Sequence, residues 1–204
     1  AILLSITVLP LDAVGATNNT QLIHAKIVQS GTIKCFEGEP SPTSGKPSSC
    51  ELSAVTRTDK TLVFANDKSS PGKQYSAVFS ISFNGAKIDQ KGQHNYFLAS
   101  PFIEAIKYEG ITITADGNHV IATTAFDRYN EDKPDQDRYN TLLSWPASNP
   151  AEVNVIAASE RHGVVSSTSL RSKLLKALSG PDTSVEYLKI EGLAAIPNNK
   201  LLFG

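Results

Sequence analysis

Carboxylates recur in this chain at matching places. Glu51 opens "ELSAVTRTDKTLVFAND", Glu109 opens "EGITITADGNHVIATT" and Glu191 opens "EGLAAIPNNKLLFG". A second acidic position follows the apolar run after each of the first two, as Asp67-Lys68 and as Asp127-Arg128. Carboxylate oxygens are hard ligands that suit Ca²⁺, and a bound cation flanked by basic side chains can hold and polarise a phosphoester. On that reading Asp67, Glu109 and Asp127 are metal ligands. Glu109, Asp127 and Glu191 are the catalytic carboxylates, and Glu51, Asp67, Lys68 and Arg128 contact the ligand. Arg161 and His162 add a guanidinium and an imidazole that suit a phosphate, with an ordinary surface loop as the plain alternative. The three Glu also have a structural reading. A carboxylate at the same point of each repeat can accept backbone N–H groups, and a Gly beside it lets neighbouring backbones crowd together.

Other chemistries lack their signatures. "FDRYNEDKPDQDRYN" carries Asp127, Glu131, Asp132, Asp135 and Asp137, but it has neither the spacing nor the turning Gly of a calcium loop. It reads as a solvated insertion. No H-E-x-x-H or H-x-x-x-H occurs, which disfavours a zinc hydrolase. There is no G-x-S-x-G elbow and no P-loop. The net charge of −1 leaves no broad electrostatic footprint for nucleic acid or an anionic membrane. No later stretch is long and apolar enough to span a bilayer.

The elements that position these residues are hairpins. Each Glu leads an alternating segment, a polar turn (Thr58-Asp59-Lys60, Asp116-Gly117-Asn118 or Asn198-Asn199-Lys200) and a second apolar run. Asp-Gly is the clearest of the three turn signals. "QYSAVFSISFNG" predicts a third strand in the first unit, and "DRYNTLLSWPASNPAEVNVI" predicts a third and a fourth in the second, with Trp145 matched to Phe83 as blade packing. Leu170, Leu174, Leu175 and Leu178 fall at helical spacing between a Ser/Thr start and Gly180, so a short helix is inserted near residues 168–179. Repeated four-stranded antiparallel sheets predict an all-β fold, a β-propeller. A β-sandwich is the runner-up. The units start near residues 51, 109 and 191, and residues 17–204 make about half a ring. The expectation is therefore a partial propeller completed by a second chain or a missing C-terminal part. In a blade, the start of the first strand and the end of the second share one face. The candidate residues of both units accordingly belong at one channel mouth.

The N-terminal "AILLSITVLPLDAVGA" has two readings. It resembles the end of a secretory signal, with Val14-Gly15-Ala16 as the cleavage site, or residues 1–16 hold a first strand. Cys35 and Cys50 flank a loop rich in Pro, Ser and Gly, which predicts a disulfide in an exported, secreted or periplasmic protein. Asn18-Asn19-Thr20 is a glycosylation sequon.

"KYEGITITADGNHVIATTAFDR" and "YLKIEGLAAIPNNKLLFG" resemble the Glu-Gly-led segments of secreted propellers of the family "esterase-like activity of phytase". The resemblance covers roughly residues 45 to 204, and the first unit departs from it, with Glu51-Leu52-Ser53 in place of Glu-Gly-Ile/Leu. It implies a secreted propeller acting as a phosphoester or ester hydrolase and little about the substrate; the expectation is a small phosphorylated or ester compound. The alternative is a non-catalytic propeller that binds a ligand or protein partner across the same face.

Overall fold

In a computed structural model of the chain, the residues described are 32–36, 48–72, 74–84, 87–88, 94–179 and 185–204. The chain divides into two units, Ala1–Ile33 and Lys34–Gly204. Both readings of residues 1–16, and the sequon at Asn18, lie outside the described residues. Every described strand and helix belongs to the second unit. No helix among the described residues is long and apolar enough to cross a membrane.

Two antiparallel meanders and a separate hairpin dominate. The first meander runs β1 (Leu52–Arg57), β2 (Thr61–Asn66) and β3 (Val78–Asn84). Its fourth place is split between β4 (Lys87–Ile88) and β5 (Asn95–Tyr96), each paired to β3. A short helix α1 (Ser100–Glu104) leads to the second meander, β6 (Tyr108–Ile113), β7 (His119–Thr124), β8 (Leu142–Pro146) and β9 (Asn154–Val155). A small hairpin follows, β10 (Ser159–Arg161) with β11 (Val164–Ser166), then helix α2 (Thr168–Leu178). The chain closes on β12 (Leu193–Ile196) paired with β13 (Lys200–Phe203). The three expected hairpins, the third strands and the helix near 168–179 are all present.

Local chemistry explains the turns. Gly117 sits at φ 74° after Asp116, and Asn198 and Asn199 sit at φ 65° and 54°. Gly and Asn tolerate this left-handed region best, and two such residues suit a tight hairpin turn. Thr58 closes the first hairpin by donating its N–H to the Thr61 carbonyl at 2.9 Å.

The strand-pairing register corrects the sequence alignment. A bulge falls between Leu52 and Ala54 opposite β2, and another between Tyr108 and Gly110 opposite β7. At the third hairpin, the N–H groups of Glu191 and Gly192 both donate to the Gly204 carbonyl, at 2.8 and 3.2 Å. Matched on these bulges, Ser53, Glu109 and Glu191 are equivalent, and Glu51 corresponds to Lys107. Two further bonds agree, since Asp67 N–H donates to the Glu51 carbonyl while Ala125 N–H donates to that of Lys107. The same register places Trp145 opposite Val120 and Ile81 opposite Leu62. Trp145 therefore corresponds to Ile81 rather than to Phe83. The cause is turn length. Three residues join β1 to β2 and five join β6 to β7, so a count from Glu to the turn misaligns the units.

The sheets stack as propeller blades. Val63, Ala65 and Val78 of the first meander pack on Val120, Ala122, Leu143 and Trp145 of the second. Ile121 and Leu142, on the other side of that second sheet, pack on Leu193, Leu201 and Phe203 of the third hairpin. Each central strand is thus buried on both faces, which is why β2 and β7 read as continuous apolar runs rather than alternating ones. The first strands lie together, with β6 against both β1 and β12. Ala195 N–H donates to Thr112 Oγ1 at 3.1 Å across this seam. A Cβ on Gly110 would stand 2.8 Å from Leu193 Cβ and 3.0 Å from its backbone N, so the Gly after Glu109 is required by close approach. Leu170, Leu174 and Leu175 of α2 join the same core. Ser167, just before α2, donates from its hydroxyl to Ile156 O at 2.6 Å and accepts from Leu142 N–H at 3.0 Å, which ties the helix to the second blade.

Candidate functional site

The starts of the first strands and the ends of the second bring most of the predicted residues to one face. Lys68 reaches Glu51 at 2.9 Å and Asp67 at 2.5 Å, and both carboxylates raise its pKa to about 12. Asp127, with its side chain 8% exposed, pairs with Lys107. Glu191 pairs with Lys189. Among the described residues, Glu109 is the one member of the five predicted carboxylates with neither a hydrogen bond nor an ion pair from its side chain. Burial, followed by the charges of Asp67 and Glu191, pushes its carboxyl pKa up, against the pull of Lys107 and Lys189. These contributors place groups from three successive hairpins within one electrostatic neighbourhood.

Lys107 and Lys189 are missed when the sequence is searched for recurring carboxylates alone. Their signal is K-x-E-G, present as Lys107-Tyr108-Glu109-Gly110 and again as Lys189-Ile190-Glu191-Gly192. In the first unit the sign reverses, because Glu51 takes the place of Lys107 and Lys68 supplies the cation. Lys107 lies at φ 65° and Phe126 at φ 54°, on either side of the ion pair to Asp127. Left-handed backbone at non-Gly residues costs free energy and is held by surrounding contacts. Here the contacts are visible, with Ala125 N–H on Lys107 O at 2.9 Å, Phe126 N–H on Tyr139 O at 2.8 Å and the buried Arg171 donating to Phe126 O.

The segment from Asp127 to Asn140 is an anchored part of this face, in contrast to the solvated insertion expected from its composition. Asp137 is fully buried and receives Arg161 through two charged bonds, Nε at 2.7 Å and Nη2 at 2.6 Å. Arg161 also donates to the carbonyls of Glu131 and Asn130, at 3.2 and 3.1 Å. Asn140 Nδ2 donates to Arg128 O at 2.6 Å and Gln136 O at 3.0 Å. Arg161 therefore acts as a clamp on this segment, with four of its N–H donors engaged. His162 stands exposed at the tip of the β10–β11 hairpin at φ 52°. Arg128 lies over the Tyr139 ring at 4.5 Å from the centroid, and its Nη1 donates to the Tyr139 hydroxyl at 3.1 Å.

Among the described residues no three His, Cys, Asp or Glu side chains gather closely enough to hold a metal ion. Asp67 and Asp127 each hold a lysine through Oδ2, and Asp127 Oδ1 is buried without a hydrogen-bond partner among the described residues. Away from this face, Cys35 and Cys50 form the expected disulfide, with Cα atoms 5.3 Å apart. Tyr96 donates its hydroxyl to the Cys35 carbonyl, fastening the bridge to the edge of the first blade.

Fold and face together define a chain of β-propeller blades with an ion-paired surface where the first strands begin. Among solved structures it is similar to the "Crystal structure of RRP9 WD40 repeats", at 13% identity and a TM-score of 0.36. It is also similar to the "Structure of U3-55K", at 12% identity and a TM-score of 0.33. The matches cover 76% of this chain and 51% of each of those chains, so the chain spans about half their length. No protein-family model and no curated protein matched it.

Proposed function

We propose that the chain is a non-catalytic binding module that takes a ligand or protein partner across the face where its first strands begin. The observation that carries this reading is the pairing of carboxylates with lysines. Glu51 and Asp67 hold Lys68, Asp127 holds Lys107 and Glu191 holds Lys189. Lysines that occupy the carboxylates in this way make a polar surface of ion pairs, and partly exposed ion pairs suit the polar rim of an interface. Left-handed backbone held in place at Lys107 and Phe126 supports a preformed surface. The Cys35–Cys50 disulfide accords with an exported protein, secreted or periplasmic.

One observation favours the phytase-like hydrolase instead. Glu109 is unpaired among the described residues and holds its proton to higher pH than an ordinary glutamate, as a general acid must. Assays with p-nitrophenyl phosphate and p-nitrophenyl acetate, each with and without Ca²⁺, separate the two readings. The binding reading expects no turnover under any of these conditions. Turnover that disappears in Glu109→Gln would overturn it.

A further inference from the structure

Two cavities meet on this face between the blades, and both include Ser69 and Ile106 in their walls. The larger, about 250 Å³, has an apolar floor of Ala77, Phe102 and Ala105, with Arg138 beside it. The smaller, about 180 Å³, is walled by Lys68, Lys107, Arg128 and Tyr139, with Asp67 the one carboxylate in its lining. Lys68 and Lys107 are already paired. Arg128 and Arg138 are different. Arg128 is stacked on Tyr139 and has no carboxylate partner among the described residues. Arg138 makes no side-chain hydrogen bond or ion pair among them, and its Nε is buried without a partner. A buried donor left unmade is costly. Guanidinium is also the cation best suited to a planar carboxylate.

We infer that this groove docks an acidic peptide segment of a partner protein, with a carboxylate side chain on Arg128 and Arg138 and an apolar side chain from the same side of the segment on the Ala77–Phe102–Ala105 floor. Charge complementarity selects an anion, because the two guanidiniums are the unneutralised charges of the groove. Shape selects a chain segment. Each cavity falls below the roughly 300–1,000 Å³ of ordinary small-molecule pockets, while the two, joined at Ser69 and Ile106, suit two side chains of one extended strand. Alternate side chains of such a strand point the same way, so one residue of the peptide meets the floor and another on that side meets an arginine.

The inference rests on the binding reading and refines it. The test uses the whole chain and fluorescence anisotropy with a labelled short peptide repeating Glu-Ser-Leu-Ser, in which Glu and Leu stand two residues apart and so on one side of an extended strand. Comparison probes replace Glu by Gln, replace Leu by Ser, or use free glutamate as competitor. The expected result is saturable binding of the Glu/Leu peptide, weaker by about tenfold or more with the Gln peptide and in Arg138→Gln and Arg128→Gln. The Ser peptide and Ile103→Ser, at the apolar wall, are expected to weaken it as well. Lys176→Gln, on α2, is expected to leave it unchanged. Arg138→Gln removes a side chain without partners, so it keeps the fold, as circular dichroism would record. Equal affinity for the Glu and Gln peptides, full affinity in Arg138→Gln, or no binding at all would overturn the inference. Free glutamate that competes as strongly as the peptide would overturn the peptide and leave only a small-anion site. Peptides that bind this face regardless of charge would overturn the groove assignment while the binding reading stands. That reading falls separately, on Glu109-dependent turnover.

Discussion

Glu109 is the residue whose environment differs most from its repeat partners. Glu191 holds Lys189 and Ser53 has no charge to pair, while Glu109 stands among like charges with its pKa raised. A raised native pKa means that the folded protein binds the proton more tightly than the unfolded chain does. Its stabilising contribution is complete below the ordinary glutamate pKa of about 4.3 and is lost as pH rises through the raised value. Glu109→Gln is therefore expected to melt at a higher temperature than the parent at pH 7. The difference should vanish below about pH 4, the ordinary glutamate range, which calorimetry across pH would check. Asp116 shows the opposite sign. Thr114 Oγ1 at 2.6 Å and the Asn118 N–H at 3.0 Å and Nδ2 at 2.8 Å donate to its carboxylate, holding its pKa at about 2. Its contribution is present above the ordinary Asp value near 4 and is lost as pH falls toward 2. Loss of the native amide pattern at residues 114–119 over that window is the NMR readout. Asp137 is the third case at this scale. Asp137→Ala strips Arg161 of its partner at a buried site, and urea denaturation is expected to show a loss of about 3 kcal/mol. No local pattern marks Asp137 among the other acids of "NEDKPDQD". Only the return of β10 across the segment selects it.

At the scale of the elements, the hairpin is the unit that the sequence writes most clearly. Its turn residues are local chemistry, and Asp116-Gly117 and Asn198-Asn199 are legible without any fold. The bulge that follows each blade start is less legible, because it depends on which residues face each other across the ladder. For that reason Glu51 aligns with Glu109 by eye and with Lys107 by hydrogen bonds. The two Glu-Gly pairs illustrate the same limit. A Cβ at Gly110 meets Leu193 at 2.8 Å, whereas nothing lies within 4 Å of one at Gly192. Gly110→Ala is expected to cost about 1–3 kcal/mol through overpacking at the seam between β6 and β12. Gly192→Ala should stay within about 0.5 kcal/mol of the parent. Paired urea titrations would distinguish them, and equal effects would contradict that packing. The β10–β11 hairpin and α1 escape the sequence reading because each is too short for its period to register.

At the scale of the molecule, stability comes from blades stacked face to face. Trp145, 1% exposed, is the centre of the first stack, with its ring edge-on to Phe102 at 4.9 Å and to Phe97 at 6.0 Å. Trp145→Ala is expected to destabilise the protein by about 3–5 kcal/mol. The midpoint of unfolding should fall with an unchanged denaturant slope, because the cavity lies between two blades that unfold together. The sequence by itself determined the repeated hairpins, the four-stranded blades, the inserted helix and the face on which the charged residues collect. Alternation, turn chemistry and the order of strands in a meander are local properties, and they suffice for that much. Only the tertiary structure decided which charge meets which. Lys68, Lys107 and Lys189 capture the carboxylates, Arg161 closes on Asp137, and Arg128 and Arg138 are left facing a groove. Ion pairs form between side chains brought within a few ångströms by blade stacking and bulge register, and those distances are set by contacts between residues far apart in the chain.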